Sequence, residues 1–272
     1  MGSETGASGG GPAASGSGAG AGSGAAAGAS GAAAGASVAA LARAKLTLSL
    51  RITGVRPDGY HLLDAEMVTL DLADELEFGP GDGLEILGAN GAAVPEGEGN
   101  LVRQALAAAG RRAFVRLHKR IPPGAGLGGG SADAAAVLRW AGIGAPDVAA
   151  ALGADVPFCL AGGRARVRGI GEQVEPLPFD EVAGRPYTLL TPPVAVSTPL
   201  VYRAWDRLGG PSAAGPNDLE PAALDAAPEL ARWRDQLGDA TGQTPLLAGS
   251  GGTWFVAGAY PGEGRVVVRV AR

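Results

Sequence analysis

The chain has 272 residues, 46% hydrophobic and 18% charged, a balance that supports a sizeable core and excludes a wholly disordered protein. Its 22 basic and 27 acidic residues give a formal charge of −5, which argues against a broad nucleic-acid footprint or a polybasic membrane anchor but leaves room for a small basic phosphate pocket. The lone cysteine, Cys159, permits no internal disulfide, two histidines offer no zinc cluster, and no segment reaches the roughly 20 apolar residues of a membrane helix, so a reducing, cytoplasmic setting is expected.

Residues 1–37 are almost wholly Gly, Ala and Ser, with Glu4 their single charge, and read as a flexible low-complexity tail. Periodicity starts at Val38. Ala44 to Ile52 alternates apolar and polar residues as a half-buried strand does, and Arg56-Pro57-Asp58-Gly59 supplies a turn. Met67–Leu72 and Asp74–Phe78 predict two further strands, Pro80–Gly83 a turn, Asn100–Ala109 a helix and Ala113–Ile121 a strand. That strand stops at Pro122-Pro123 before a glycine-rich loop and a helix opening at Ser131. Asp147–Leu152 predicts a short helix. In the second half, strands are expected at Tyr187–Leu190, Gly252–Val256 and Arg265–Val270, and helices around Leu200–Leu208 and Pro228–Leu237. Strands and helices mix without regular βαβ alternation, so an α+β fold is expected.

The loop Pro123-Gly124-Ala125-Gly126-Leu127-Gly128-Gly129-Gly130-Ser131 carries the most chemistry. Five glycines in seven positions free the backbone N–H groups to line a concavity, into which the following helix aims its positive end, an arrangement suited to phosphate. Ser131 is either the helix N-cap or a hydroxyl for a phosphate oxygen or its magnesium. Gly124-x-Gly126-x-x-Gly129 satisfies a dinucleotide fingerprint, but Pro122-Pro123 precede it and no acidic strand end follows at the right remove. A Walker loop needs lysine where Gly130 stands, so positive charge must come from elsewhere, and Lys45 on the first strand is the leading supplier.

This loop resembles the phosphate-binding motif of the GHMP small-molecule kinases. Ala42–Leu50 with Arg56–His61, Leu152–Phe158 and a weakened third motif at Leu247–Thr253 extend the resemblance in the expected order. It implies a two-lobed α+β fold, an ATP-binding lobe over 38–185 and a second lobe over 186–272, with the active site in the cleft between them. It also implies ATP with Mg2+ as phosphoryl donor. The strings Asp58-Gly59-Tyr60-His61 and Gly153-Ala154-Asp155-Val156-Pro157 are similar to the branch that phosphorylates a tertiary hydroxyl of a small cytidine-diphosphate substrate in isoprenoid precursor synthesis. By that resemblance Lys45 and Asp155 are the catalytic pair. Residues 123–131, Asn100 and Lys119 would contact ATP, with Asn100 and Lys119 at the adenosine. Tyr60, His61 and Tyr202 would hold the base, and Thr47 with Gly249, Ser250 and Gly251 the rest of the substrate. No nucleic-acid or membrane partner is expected, and the working unit is a monomer or a homodimer.

The chain also departs from the family pattern. Thr47 replaces an asparagine, Ala132 replaces a serine or threonine, and the stretches Val137–Leu152 and Ala109–Phe114 are shortened. Another GHMP kinase and a nucleotide-binding relative with impaired catalysis are the alternatives. Since a displacement of about 1 Å at a reacting group can cost on the order of a hundredfold in rate, the shortened supports make the placement of Asp155 the decisive question.

Overall fold

The computed structural model describes residues 38–88, 94–194 and 196–272; the tail expected over 1–37 lies outside the described residues. In chain order the elements are β1 (Val38–Val55), β2 (His61–Gly79), β3 (Gly83–Leu87), α1 (Leu101–Ala108), β4 (Phe114–His118), α2 (Gly129–Ala141), α3 (Pro146–Leu152), α4 (Val156–Ala161), β5 (Arg164–Gly169), β6 (Gln173–Pro176), β7 (Pro186–Leu190), α5 (Thr198–Arg207), α6 (Glu220–Ala226), α7 (Leu230–Thr241), β8 (Leu246–Leu247), β9 (Trp254–Ala257) and β10 (Arg265–Arg269). The fold is α+β, as the element pattern predicts.

β1 and β2 form one long antiparallel hairpin, in register from Val55 opposite His61 to Val38 opposite Phe78, with bulges between Arg43 and Lys45, Thr47 and Ser49, and Ile52 and Gly54. The two short strands predicted over Met67–Phe78 are therefore one strand. Asp74 continues the ladder because its carboxylate is satisfied inside the fold. β2 is the hub of a six-stranded sheet, pairing with β4 near its end and with β5 along its first half, while β3 and β6 extend the edges. A four-stranded sheet, ordered β10-β7-β9-β8, is drawn wholly from the second half.

The sheets share apolar packing. Ala44, Leu46, Val68 and Leu70 from the hairpin meet Tyr187, Leu189, Phe255 and Val268 from the second sheet, together with Ile121, Ala125 and Leu127 around the glycine loop. Fully burying a side chain such as Leu46 or Leu70 contributes about 2 kcal/mol. α2 is buried from Ala132 through Leu138, as expected of a helix apolar around most of its girth. It ends at Gly142, whose φ of +77° makes the left-handed C-cap.

Candidate functional site

β1 places Lys45 and Thr47 two residues apart with no bulge between them, so both side chains leave the same face. Both are buried, and the Lys45 ammonium donates to Thr47 Oγ1 at 3.1 Å. Here the departure at Thr47 keeps a polar contact. Asp155 sits at the N-cap position of α4, yet its carboxylate makes no capping hydrogen bond and lies 3.4 Å from Lys45 Nζ. Only residues 142–145 join α2 to α3, and the shortened segment still delivers Asp155 to the lysine. Ala132 is buried inside α2.

The glycine loop lies over this pair. Ala125 and Leu127 insert into the core, and the Leu127 carbonyl accepts from the Lys45 backbone N–H at 2.9 Å. Gly124, Gly126 and Gly128 between them adopt φ values of +72°, +76° and +69°, a conformation free of steric cost only for glycine. A Cβ on Gly128 would strike Lys45 Cγ at 2.8 Å, so bare backbone is what lets the lysine run beneath the loop. α2 begins at Gly129 with Gly128 as N-cap, two residues before the expected opening at Ser131, so of the two roles open to Ser131 the capping one is excluded. Ser131 lies two residues into the helix, half-buried, and its hydroxyl is not spent on a cap.

The third motif closes the other side. A Cβ on Gly126 would lie 2.3 Å from the Gly251 carbonyl oxygen, and one on Gly252 would lie 2.7 Å from that of Gly124. Gly249 borders the reactive groups, since its Cβ would stand 3.4 Å from Lys45 Nζ. Buried Asn217, which the sequence reading missed, fastens this segment by donating to the carbonyls of Leu247 at 2.9 Å and Gly249 at 2.7 Å. Ser250 Oγ is 2.8 Å from Thr198 Oγ1 at the start of α5.

A second cluster forms where the hairpin tip meets α5. The turn closes through Gly59 N–H to the Arg56 carbonyl at 2.9 Å and leaves Tyr60 exposed, with the Arg56 guanidinium 5.9 Å from its ring centroid. His61 turns inward, its ring centroid 4.7 Å from that of Tyr202 and 5.4 Å from Trp205 in an edge-on contact. Its Nε2 meets Asp206 Oδ1 at 2.8 Å. Tyr202, Trp205 and Asp206 are spaced i, i+3, i+4 and so share one face of α5, a spacing that could have singled out the last two. Burial, reinforced by the charge of Asp155, raises the Tyr202 phenol above its ordinary pKa and keeps it neutral. The same two causes push the Cys159 thiol up to about 12, so it is inert.

The side chains of Asn100 and Lys119 are engaged elsewhere. Asn100 caps α1, accepting from Val102 N–H at 2.9 Å, and donates to the Pro95 carbonyl at 2.7 Å. Lys119 is buried between Asp74 and Asp133, with Asp133 Oδ2 at 2.8 Å, so its ammonium is committed to carboxylates where the resemblance implied adenosine. Asp74 also accepts from the backbone N–H groups of Arg120 at 2.5 Å and Ile121 at 2.8 Å, tying β2 to the segment that enters the loop. Burial, then the charge of Asp74, raises the Asp133 carboxyl to about 7 against the opposing pull of Lys119, and its Oδ1 has no hydrogen-bond partner among the described residues.

Residues 100–163 match the family described as GHMP kinases N terminal domain. A 4-diphosphocytidyl-2-C-methyl-D-erythritol kinase of Cereibacter sphaeroides is 41% identical over 244 residues, spanning 79% of this chain and 87% of that protein. The enzyme of the same name from Pelotomaculum thermopropionicum is 41% identical over 251 residues, with the same shares. A crystal structure of a 4-(cytidine 5'-diphospho)-2C-methyl-D-erythritol kinase superposes with a TM-score of 0.65 at 37% identity, covering 80% of this chain and 89% of that one. A mevalonate kinase of Methanococcus jannaschii, at 13% identity and a TM-score of 0.54, shares the fold.

Proposed function

The chain belongs to the 4-diphosphocytidyl-2-C-methyl-D-erythritol kinase family of GHMP kinases, and from that premise we propose that it transfers the γ-phosphoryl group of ATP to the C2 hydroxyl of 4-diphosphocytidyl-2-C-methyl-D-erythritol. The observation that carries this reading is the 3.4 Å pairing of Lys45 with a partly exposed Asp155 beneath a glycine loop at a helix N-terminus. Loop and helix dipole fit a triphosphate: Gly124 and Gly130 are exposed with no side chain to obstruct an anion, and α2 is 13 residues long, so its first amides and positive end are available. Were magnesium to accompany the nucleotide, the Ser131 hydroxyl is the protein group that would help hold it. The ion would supply charge neutralisation on the phosphates.

In the transfer, Asp155 orients the acceptor hydroxyl and takes its proton as oxygen bonds to the γ-phosphorus. The bond from that phosphorus to the β,γ-bridging oxygen breaks and ADP leaves. Lys45 pairs with Asp155 before the transfer and stabilises charge on the transferring group during it. His61 meets the edge of the cytosine while the Tyr202 ring lies against it, with Tyr60 at the open rim, and Gly249–Gly251 approach the substrate diphosphate. In this reading the lobes divide at 185/186, the transfer occurs between them, and the enzyme acts on water-soluble metabolites in the cytoplasm.

A coupled assay tests it: ADP release must depend on both the cytidyl substrate and magnesium. Asp155→Asn should remove turnover while ATP affinity stays within a few fold. Turnover of mevalonate or homoserine in place of the cytidyl substrate, or an active Asp155→Asn, would overturn the assignment.

A further inference from the structure

His61 has an arrangement that its role in base binding does not by itself require. Its side chain is only 9% exposed, held between Tyr202 and Trp205, while its Nε2 lies 2.8 Å from a carboxylate oxygen of Asp206. An ionised carboxylate only accepts hydrogen bonds, so Nε2 must carry the hydrogen. A neutral imidazole has one N–H, and Nδ1 is thereby left as an acceptor. Among the described residues Nδ1 has no hydrogen-bond partner, and it is the ring atom available to a ligand.

We propose that Asp206 is the specificity-determining residue that makes this site select cytosine over uracil, by holding His61 as the Nε2–H tautomer with Nδ1 aimed at the base. The proposal rests on the reading of His61 as the residue that meets the base edge. Cytosine carries a donor at position 4, an amino group, and uracil an acceptor, a carbonyl oxygen. A fixed acceptor at Nδ1 bonds the first and faces the second lone pair to lone pair. To greet uracil the ring would have to move its hydrogen to Nδ1 and abandon a charge-assisted bond to Asp206, which opposes the exchange. Among the described residues the Asp206 carboxylate hydrogen-bonds to His61 alone and acts through that ring, so it is a positioning residue. Because its side chain is half exposed on the surface of α5, removing it does not threaten the fold.

The test compares kcat/KM for the cytidyl substrate and its uridine counterpart in wild type and in Asp206→Ala, alongside 15N spectra of histidine-labelled protein assigned with a His61→Gln variant. The expected result is a cytidine-to-uridine preference that falls about tenfold in Asp206→Ala, equivalent to about 1.4 kcal/mol, most of it from improved use of the uridine compound. The wild-type spectrum should show His61 protonated at Nε2 and bare at Nδ1. Equal losses on both substrates would mark Asp206 as merely structural and overturn the proposal, as would an Nδ1–H tautomer or a doubly protonated ring in the wild type. Turnover of the cytidine compound with an unmoved ratio defeats this proposal alone; no turnover of either compound by wild type defeats the functional reading and this one with it.

Discussion

Replacing Gly126 by alanine tests whether the glycine loop and the third motif must interlock at backbone distance. A Cβ there would lie 2.3 Å from the Gly251 carbonyl oxygen and 2.7 Å from that of Ala248, and reaching even a tight 3.0 Å contact requires a retreat of about 0.7 Å. The strand segment cannot simply yield, because Asn217 holds the flanking carbonyls of Leu247 and Gly249. The φ of +76° adds about 1–2 kcal/mol for any L side chain, and overpacking adds about 1–3 kcal/mol, for a loss of about 2–5 kcal/mol. If strain is relieved by lifting the loop from Lys45, a shift approaching 1 Å costs on the order of a hundredfold in kcat. Gly124→Ala is the control: its φ is +72°, but nothing lies within 4 Å of its Cβ, so it bears the backbone cost alone. Calorimetry and steady-state kinetics on both variants give the answer. Should Gly126→Ala unfold and react like Gly124→Ala, the interlock is not what shapes the loop.

Three further outcomes are expected. Lys45→Met should lower kcat on the order of a hundredfold or more while ATP affinity by calorimetry changes a few fold, since its charge acts mainly on the transferring group; a loss confined to ATP binding would reassign it. In the folded protein Asp133 holds its proton up to about pH 7, whereas unfolded chain releases it near 3.8, so the folded state binds more protons between these values and stability falls as pH rises through that window. Asp133→Asn should flatten that fall and equal or exceed wild type in urea denaturation above pH 7, and a variant whose pH profile follows wild type contradicts the buried-proton account. Asn217→Ala leaves two buried carbonyls and the Leu219 N–H without their partner, for a loss on the order of 3 kcal/mol; a melting temperature lowered by less than about 2 °C would show that water or neighbours replace it.

What was legible in the sequence is local chemistry. The alternation that begins at Val38, the turn at Arg56–Gly59, the asparagine before α1 and the glycine loop opening α2 each depend on residues close in the chain, so pattern alone locates them. The resemblance added Lys45 and Asp155 as a pair, though they stand far apart in sequence. Tertiary structure decided what each polar side chain spends its hydrogen bonds on. The resemblance implied that Lys119 contacts adenosine, yet two aspartates from β2 and α2 converge on it, and a buried ammonium is satisfied by whatever carboxylates the fold brings near. Asp133, inside an alanine-rich helix, was the one visible hint of that cluster. Asp206 and Trp205 had no identifiable role until α5 docked against the hairpin tip; β5, between β2 and β6, buries only Ala165 and Val167 between its arginines, too short an apolar alternation to be singled out, and β6 is a four-residue edge strand held by its pairing with β5. Periodicity encodes which face an element buries; which partner waits on that face is fixed only when distant segments pack, and that choice places the ammonium, the carboxylate and the imidazole.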